Sequence, residues 1–143
     1  MRQGNTRSND RPLPIITNDN RPFWAEAREH RLVLPACLDC GKPFFPIGPV
    51  CPFCFSARLE WRRMAGRGTV SSFVIYHQAF FAWFKDRLPY AVAQVELEEG
   101  PRLNGNVLGV PPSALAIGMR MEVVFEDVTP EVTLPQFRPV VAG

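Results

Sequence analysis

The four cysteines of this chain all fall within one stretch, CLDCGKPFFPIGPVCPFC, as two Cys-x-x-Cys pairs ten residues apart. No other feature restricts the fold as strongly. Two cysteines three apart in a tight turn aim both sulfurs at one point, and backbone N–H groups of the turn bond to the thiolates. Two such turns complete a tetrahedron with metal–sulfur distances of about 2.3 Å. The ten-residue spacer carries Pro43, Pro46 and Pro49 and is long enough to return the chain as a narrow hairpin. Gly41 follows the first pair, where a positive φ is useful. Phe55 follows the second, where a positive φ costs a bulky residue about 1 kcal/mol or more. The pattern is that of a zinc ribbon, with Cys37, Cys40, Cys51 and Cys54 as ligands of a structural Zn2+. A four-thiolate shell is closed, so the metal holds shape and offers no position to a substrate. Iron on the same sulfurs, making an electron-transfer module, is the competing reading, and thiols without metal are a third.

The metal reading depends on compartment. No apolar run is long enough to span a bilayer. The start MRQGNTRSND has basic residues with no apolar segment behind them, unlike a secretory signal. The expectation is a cytoplasmic chain, whose thiols stay reduced and bind metal in preference to pairing.

Residues 1–19 are polar, contain Pro12 and Pro14, and read as a flexible or loosely docked arm. A helix and lead-in are expected over 20–34, with Asn20 as N-cap, Pro22 in the first turn, and Phe23, Trp24 and Ala27 on one apolar stripe. The ribbon occupies 35–57. From 58 to 143 the pattern is β: LEWRRM, then TVSSFVIY, then a strand from Tyr90 to Leu97 with Ala91, Ala93, Val95 and Leu97 on one face. RLNGNVLG returns as its hairpin partner, Pro111 to Ala114 reads as one helical turn, and MRMEVVFEDV and Leu134–Val140 complete the set. With 15 prolines in 143 residues a helical bundle is disfavoured. The fold class is mainly β: an N-terminal helix, a zinc ribbon, then a five-stranded OB-fold barrel.

Autonomous catalysis finds little support. His30 and His77 are the only histidines, neither beside a Ser or acid at triad spacing. There is no G-x-S-x-G, no phosphate-binding glycine loop and no H-E-x-x-H. The connection HQAFFAWFKDRLPY is more informative. Phe80, Phe81, Trp83 and Phe84 crowd between two strands, followed by Lys85 and Arg87. They form either a lid on one end of the barrel or a surface for an apolar ligand tail or a protein partner, with the basic residues at its rim. Stacking of nucleic-acid bases is a third option. Charge divides unevenly. Residues 1–87 carry 13 Lys/Arg against 7 Asp/Glu, and residues 88–143 carry 3 against 7.

The order of features resembles the DUF35 family. The matching pieces are RPFWAEAREHRLVLPACLDCGKPFFP, CPFC, LEW, GRGTVSSFVIY, PYAVAQVELEEGPRLNGNV, IGMRMEVVFE and FRPV, from about Pro12 to Val140. Two departures are visible: PIGPV lacks an arginine often found before the second cysteine pair, and the second turn lacks its usual glycine. The resemblance implies a rubredoxin-like ribbon with Cys37, Cys40, Cys51 and Cys54 as ligands. It also implies a helix Phe23–Arg31 that serves as a contact element. Family members are typically encoded beside thiolases, HMG-CoA-synthase-like enzymes or MaoC-like hydratases. They are thought to bind acyl-CoA or to scaffold those enzymes, some of them in steroid side-chain degradation. The function this implies is a non-catalytic accessory subunit for a thiolase-superfamily or MaoC-like partner, with acyl-CoA as a ligand. The candidate surface is Phe23, Trp24, Phe80, Phe81, Trp83, Phe84, Lys85 and Arg87. The alternative is a single-stranded nucleic-acid module, since OB-folds and zinc ribbons also serve there, although the barrel half is net acidic.

Overall fold

The computed structural model describes residues 11–79 and 81–140. The described residues run through one α-helix, α1 (Arg21–Arg28), and seven strands. These are β1 (Val33–Cys37), β2 (Leu59–Arg63), β3 (Arg67–Tyr76), β4 (Tyr90–Leu97), β5 (Arg102–Asn106), β6 (Arg120–Asp127) and β7 (Thr133–Pro139). Short 3-10 turns cover Ala82–Arg87 and Pro112–Ala114. β1 and β2 form an antiparallel pair that carries the ribbon, and the other five strands form an antiparallel sheet in the order β5-β4-β3-β6-β7.

Asn20 stands at the N-cap position, but its side chain faces backwards. Its Oδ1 accepts from the Thr17 N–H at 2.7 Å and its Nδ2 donates to the Ile15 carbonyl at 3.1 Å. The expected cap bond is replaced by one that ties down the preceding arm. The helix ends sooner than its composition implies. The His30 N–H donates to the Ala27 carbonyl and the Arg31 N–H to the Glu26 carbonyl, with His30 at φ 59°. This is a Schellman turn with histidine where glycine is usual. The histidine is held there: Nε2 lies 2.9 Å from Asp127 Oδ1, and the ring stacks on Phe125. The C-terminal end of α1 is thereby fastened to β6.

Phe23 and Ala27 face inward, as their spacing requires, and Trp24 is half-buried beside them. Ala91, Ala93, Val95 and Leu97 all point from β4 into the core, where they meet Leu34, Val70, Met121 and Phe137. β1 is buried throughout, because one face meets this core and the other the ribbon.

The sheet is not closed into a barrel. Its edge strands meet at one parallel bridge, Val107 to Phe137, where the Leu108 N–H donates to the Phe137 carbonyl at 2.8 Å. The reason lies in the sequence TLPQFRP. Pro135 and Pro139 flank Phe137 at two-residue spacing and so face the same edge, and neither has an N–H to extend a ladder. Gly105 on β5 brings the edges close: a Cβ there would lie 2.9 Å from the Phe137 ring. Closure at this seam is by side-chain packing where a ladder would otherwise run.

Candidate metal centre and aromatic cleft

The four cysteine sulfurs converge within 4.8 Å of one another. Cys37 Sγ lies 3.5 Å from Cys54 Sγ, and Cys40 Sγ lies 3.6 Å from Cys51 Sγ. A tetrahedron with metal–sulfur bonds of about 2.3 Å has edges of about 3.8 Å, so the cage matches a four-thiolate metal. Both turns are built alike. The Gly41 N–H donates to the Cys37 carbonyl and the Phe55 N–H to the Cys51 carbonyl, each at 2.9 Å. Gly41 has φ 81° and Phe55 φ 65°, so the second turn holds a bulky residue in the left-handed region, with its ring 77% exposed. N–H groups of Asp39 and Cys40 point at Cys37 Sγ, and that of Phe53 points at Cys51 Sγ. The Cys40 N–H is the main cause, with that of Asp39, of a Cys37 thiol drawn down to about 6 against the effect of burial, and Cys51 is lowered too. Cys40 is raised, and, against the lowering effect of the Ser56 N–H, Cys54 is pushed up to about 12 by its hydrogen bonds with the neighbouring thiols. The four thiols share protons among themselves, and a thiolate set of this kind ionises fully only around a cation. Outside, Asp39 ties the two turns by accepting from Ser56 Oγ and from the Arg58 guanidinium. Apart from the cysteines, the ribbon's own core is Phe44 with Leu59 against it, too little apolar surface to hold a fold without a central tie.

The aromatic residues between β3 and β4 gather at the seam. Trp83 and Phe84 meet edge to face at 4.9 Å, Phe84 stacks on Tyr90 at 4.2 Å, and Tyr90 stacks on Tyr76 at 5.0 Å. Phe81 is 53% exposed, and Lys85 is exposed. Phe80 lies outside the described residues. The Arg87 guanidinium sits 3.6 Å from the Trp83 ring centroid, and the Arg11 guanidinium sits 4.3 Å from it. Arg11 also pairs with Glu126 Oε2 at 2.8 Å, with its own side chain only 10% exposed. Phe23 and Trp24 stand at the far side, edge to face at 4.8 Å, with Phe45 next to Phe23.

Two cavities flank the seam, of 340 and 510 Å³. The first contains Phe23, Trp24, Phe45 and Phe84, and the second Trp83, Phe84, Arg87 and Tyr90. Four residues line both: Arg11, Phe84, Asn106 and Gln136. Together the two contain the candidate residues Phe23, Trp24, Trp83, Phe84 and Arg87, while Phe81 and Lys85 line neither. Sequence reasoning missed Arg11, Glu126 and Gln136 among the contributors. Arg11 fell in a polar arm, Glu126 stood unremarked in the strand MRMEVVFEDV, and Gln136 stood in a short final strand. A polar Gln set directly between Pro135 and Phe137 was the one local signal.

These features define a class: a rubredoxin-like zinc ribbon joined to an OB-fold. Family models agree. Residues 24–60 match the family model described as "ChsH2, rubredoxin-like zinc ribbon domain", and residues 61–126 match "ChsH2, C-terminal OB-fold domain". A "DUF35 domain-containing scaffold protein" of Methanothermobacter thermautotrophicus is 36% identical over 82% of this chain and 88% of its own length. The chain belongs to the DUF35 family. A "probable enoyl-CoA hydratase alpha subunit" of Thermomonospora curvata is 42% identical over 92% of this chain, which spans 40% of that subunit's length. Among solved structures, a chain of the "Ltp2-ChsH2(DUF35) aldolase" superposes with a TM-score of 0.82 at 39% identity, covering 90% of this chain and all of that one. Among the described residues no helix is long and apolar enough to cross a membrane.

Proposed function

We propose that this chain is a non-catalytic accessory subunit that docks on a thiolase-superfamily or MaoC-like enzyme and helps it handle an acyl-CoA thioester in lipid or steroid metabolism. The observation that carries the reading is the end-to-end match to the DUF35 chain of an aldolase assembly. The metal centre fits a structural role. Its four sulfurs complete a tetrahedron among themselves, so the cysteines order the ribbon and leave the chemistry to a partner.

The seam supports the ligand half of the reading. Trp83, Phe84 and Tyr90 offer an apolar wall for an acyl group, and Arg87 stands at its rim. Hydration of an enoyl thioester and aldol cleavage of a β-hydroxyacyl thioester share one feature: a hydroxyl two carbons from the thioester carbonyl. An accessory chain serving either reaction would meet such a group.

The test is capture of the tagged chain from its native host, with mass spectrometry of what accompanies it. A stoichiometric thiolase-like or MaoC-like enzyme is the expected result. Nuclease-sensitive RNA with ribosomal proteins would overturn the reading in favour of a nucleic-acid module.

A further inference from the structure

We propose that the cavity walled by Trp83, Phe84 and Tyr90 is a site for an amphiphilic oxyanion, an apolar body whose carboxylate or phosphate is held by Arg87. The inference rests on the reading of the seam as a ligand site given above, and adds the charge that the ligand must carry.

The cavity measures 510 Å³ and is lined by two arginines and one carboxylate. Two of these three charges cancel. Arg11 pairs with Glu126 Oε2 at 2.8 Å, and Glu126 Oε1 accepts from the Gln136 amide at 2.9 Å, so both oxygens of the carboxylate are engaged. Arg87 is the charge left over. Its field reaches Glu126, but among the described residues it has no carboxylate within ion-pair distance.

Arg87 is nevertheless held in place. Its guanidinium carbon lies 3.6 Å from the centre of the Trp83 ring, a distance reached only over the ring face, and Nη1 donates to the Trp83 carbonyl. A guanidinium laid on an aromatic face loses water from one side and keeps its other N–H donors at its edge, where they can take a carboxylate or phosphate as a fork. The residue is exposed, so a ligand can reach those donors. Asn106 adds a second polar group to the same cavity. It is half-buried, and its side-chain amide makes no hydrogen bond among the described residues.

A neutral acyl chain would cover the rings and leave this cation unused. A small anion without an apolar body would meet one solvent-exposed arginine, which holds little on its own. The lining suits a molecule that brings both parts. Two sources supply that chemistry: a free carboxylic acid, or the phosphate on the carrier arm of an acyl thioester.

The probes are octanoate, octyl phosphate, octanol and the neutral N-acetylcysteamine thioester of octanoate, titrated into the metal-loaded chain by calorimetry and Trp fluorescence. At least one of the two anions should bind the wild type about tenfold more tightly than octanol. The tighter of the two tells the source, octanoate for a free acid and octyl phosphate for a carrier phosphate, and either supports the site. Arg87→Gln should bring both anions to the level of octanol and leave octanol unchanged. Lys85→Gln is the control, an exposed cation on the same turn that lines neither cavity, and it should keep the preference. Anions that bind no better than octanol, or a preference that survives Arg87→Gln or vanishes equally in Lys85→Gln, would overturn the proposal. If the neutral thioester still binds in that case, the seam remains an acyl site. Failure of all four probes to bind the wild type would overturn the ligand reading of the seam, and this inference with it.

Discussion

Replacing Gly105 by alanine tests whether the open sheet is held at its seam by packing. The new Cβ would lie 2.9 and 3.0 Å from two atoms of the Phe137 ring, and 3.6 Å from the Pro135 carbonyl oxygen. Carbon atoms prefer about 3.5–4.0 Å, so the ring or β5 has to yield by roughly 0.5–1 Å. Phe137 is 1% exposed and packed in the main core, so its ring has no free direction to swing. Overpacking of this kind costs about 1–3 kcal/mol. Removing a glycine from the unfolded chain returns about 0.5–1 kcal/mol, which leaves a net loss of roughly 0.5–2 kcal/mol. At about 2–4 °C per kcal/mol for a chain of this size, that is a drop in Tm of roughly 1–8 °C. Gly48 is the control: an added Cβ there meets nothing within 4 Å, so Gly48→Ala should leave Tm unchanged or slightly raised. Paired thermal melts by circular dichroism decide it. Equal Tm values for Gly105→Ala and the wild type would refute the claim that β5 and β7 are in tight contact at this point.

Cys37→Ser should lower the metal content from about one ion per chain to near zero and broaden the ribbon's NMR signals, because an incomplete thiolate set loses most of its affinity; a variant that keeps both metal and Tm would contradict the structural role. Replacing Phe81 and Trp83 together by alanine should weaken binding of partner or acyl probe while Tm falls only slightly, since neither ring is buried in the core; a collapse of stability would place them among the core residues instead. Arg11 holds the Glu126 carboxyl below its ordinary range, so this ion pair contributes stability above that range and loses it as pH falls through the lowered value. Melts between about pH 3 and pH 6 should therefore decline less steeply for Arg11→Ala than for the wild type, and parallel curves would show the pair to be inert.

How far the sequence discloses the molecule depends on the range over which each signal acts. The cysteine turns are local, and their spacing alone placed all four sulfurs in one cage. The positive φ at Phe55 was also readable, because equivalent turns need equivalent backbones. β4 was legible through strict alternation, with every inward residue buried. The open seam was not foreseen, though Pro135 and Pro139 were in view. What they deny is a ladder to β5, and that only has meaning once the strand order is known. The same holds for Arg11, Glu126 and Gln136. They are separated by 115 and by 10 residues (126 minus 11, 136 minus 126), and no local pattern joins them. Asn20 shows the opposite limit. Its position as N-cap was correct, yet its side chain chose the arm behind it over the helix ahead.

The central claim is that a metal-held ribbon and an open OB-fold together form a docking subunit. The measurement that tests it most directly is size-exclusion chromatography with light scattering on the enzyme captured from the native host, mixed with this chain before and after metal removal by a chelator. The account predicts a complex of fixed stoichiometry with the metal-loaded chain, and separate elution once the metal is gone. Co-elution that survives metal removal would contradict the ribbon's part in docking, and no complex with either form would contradict the accessory-subunit reading itself.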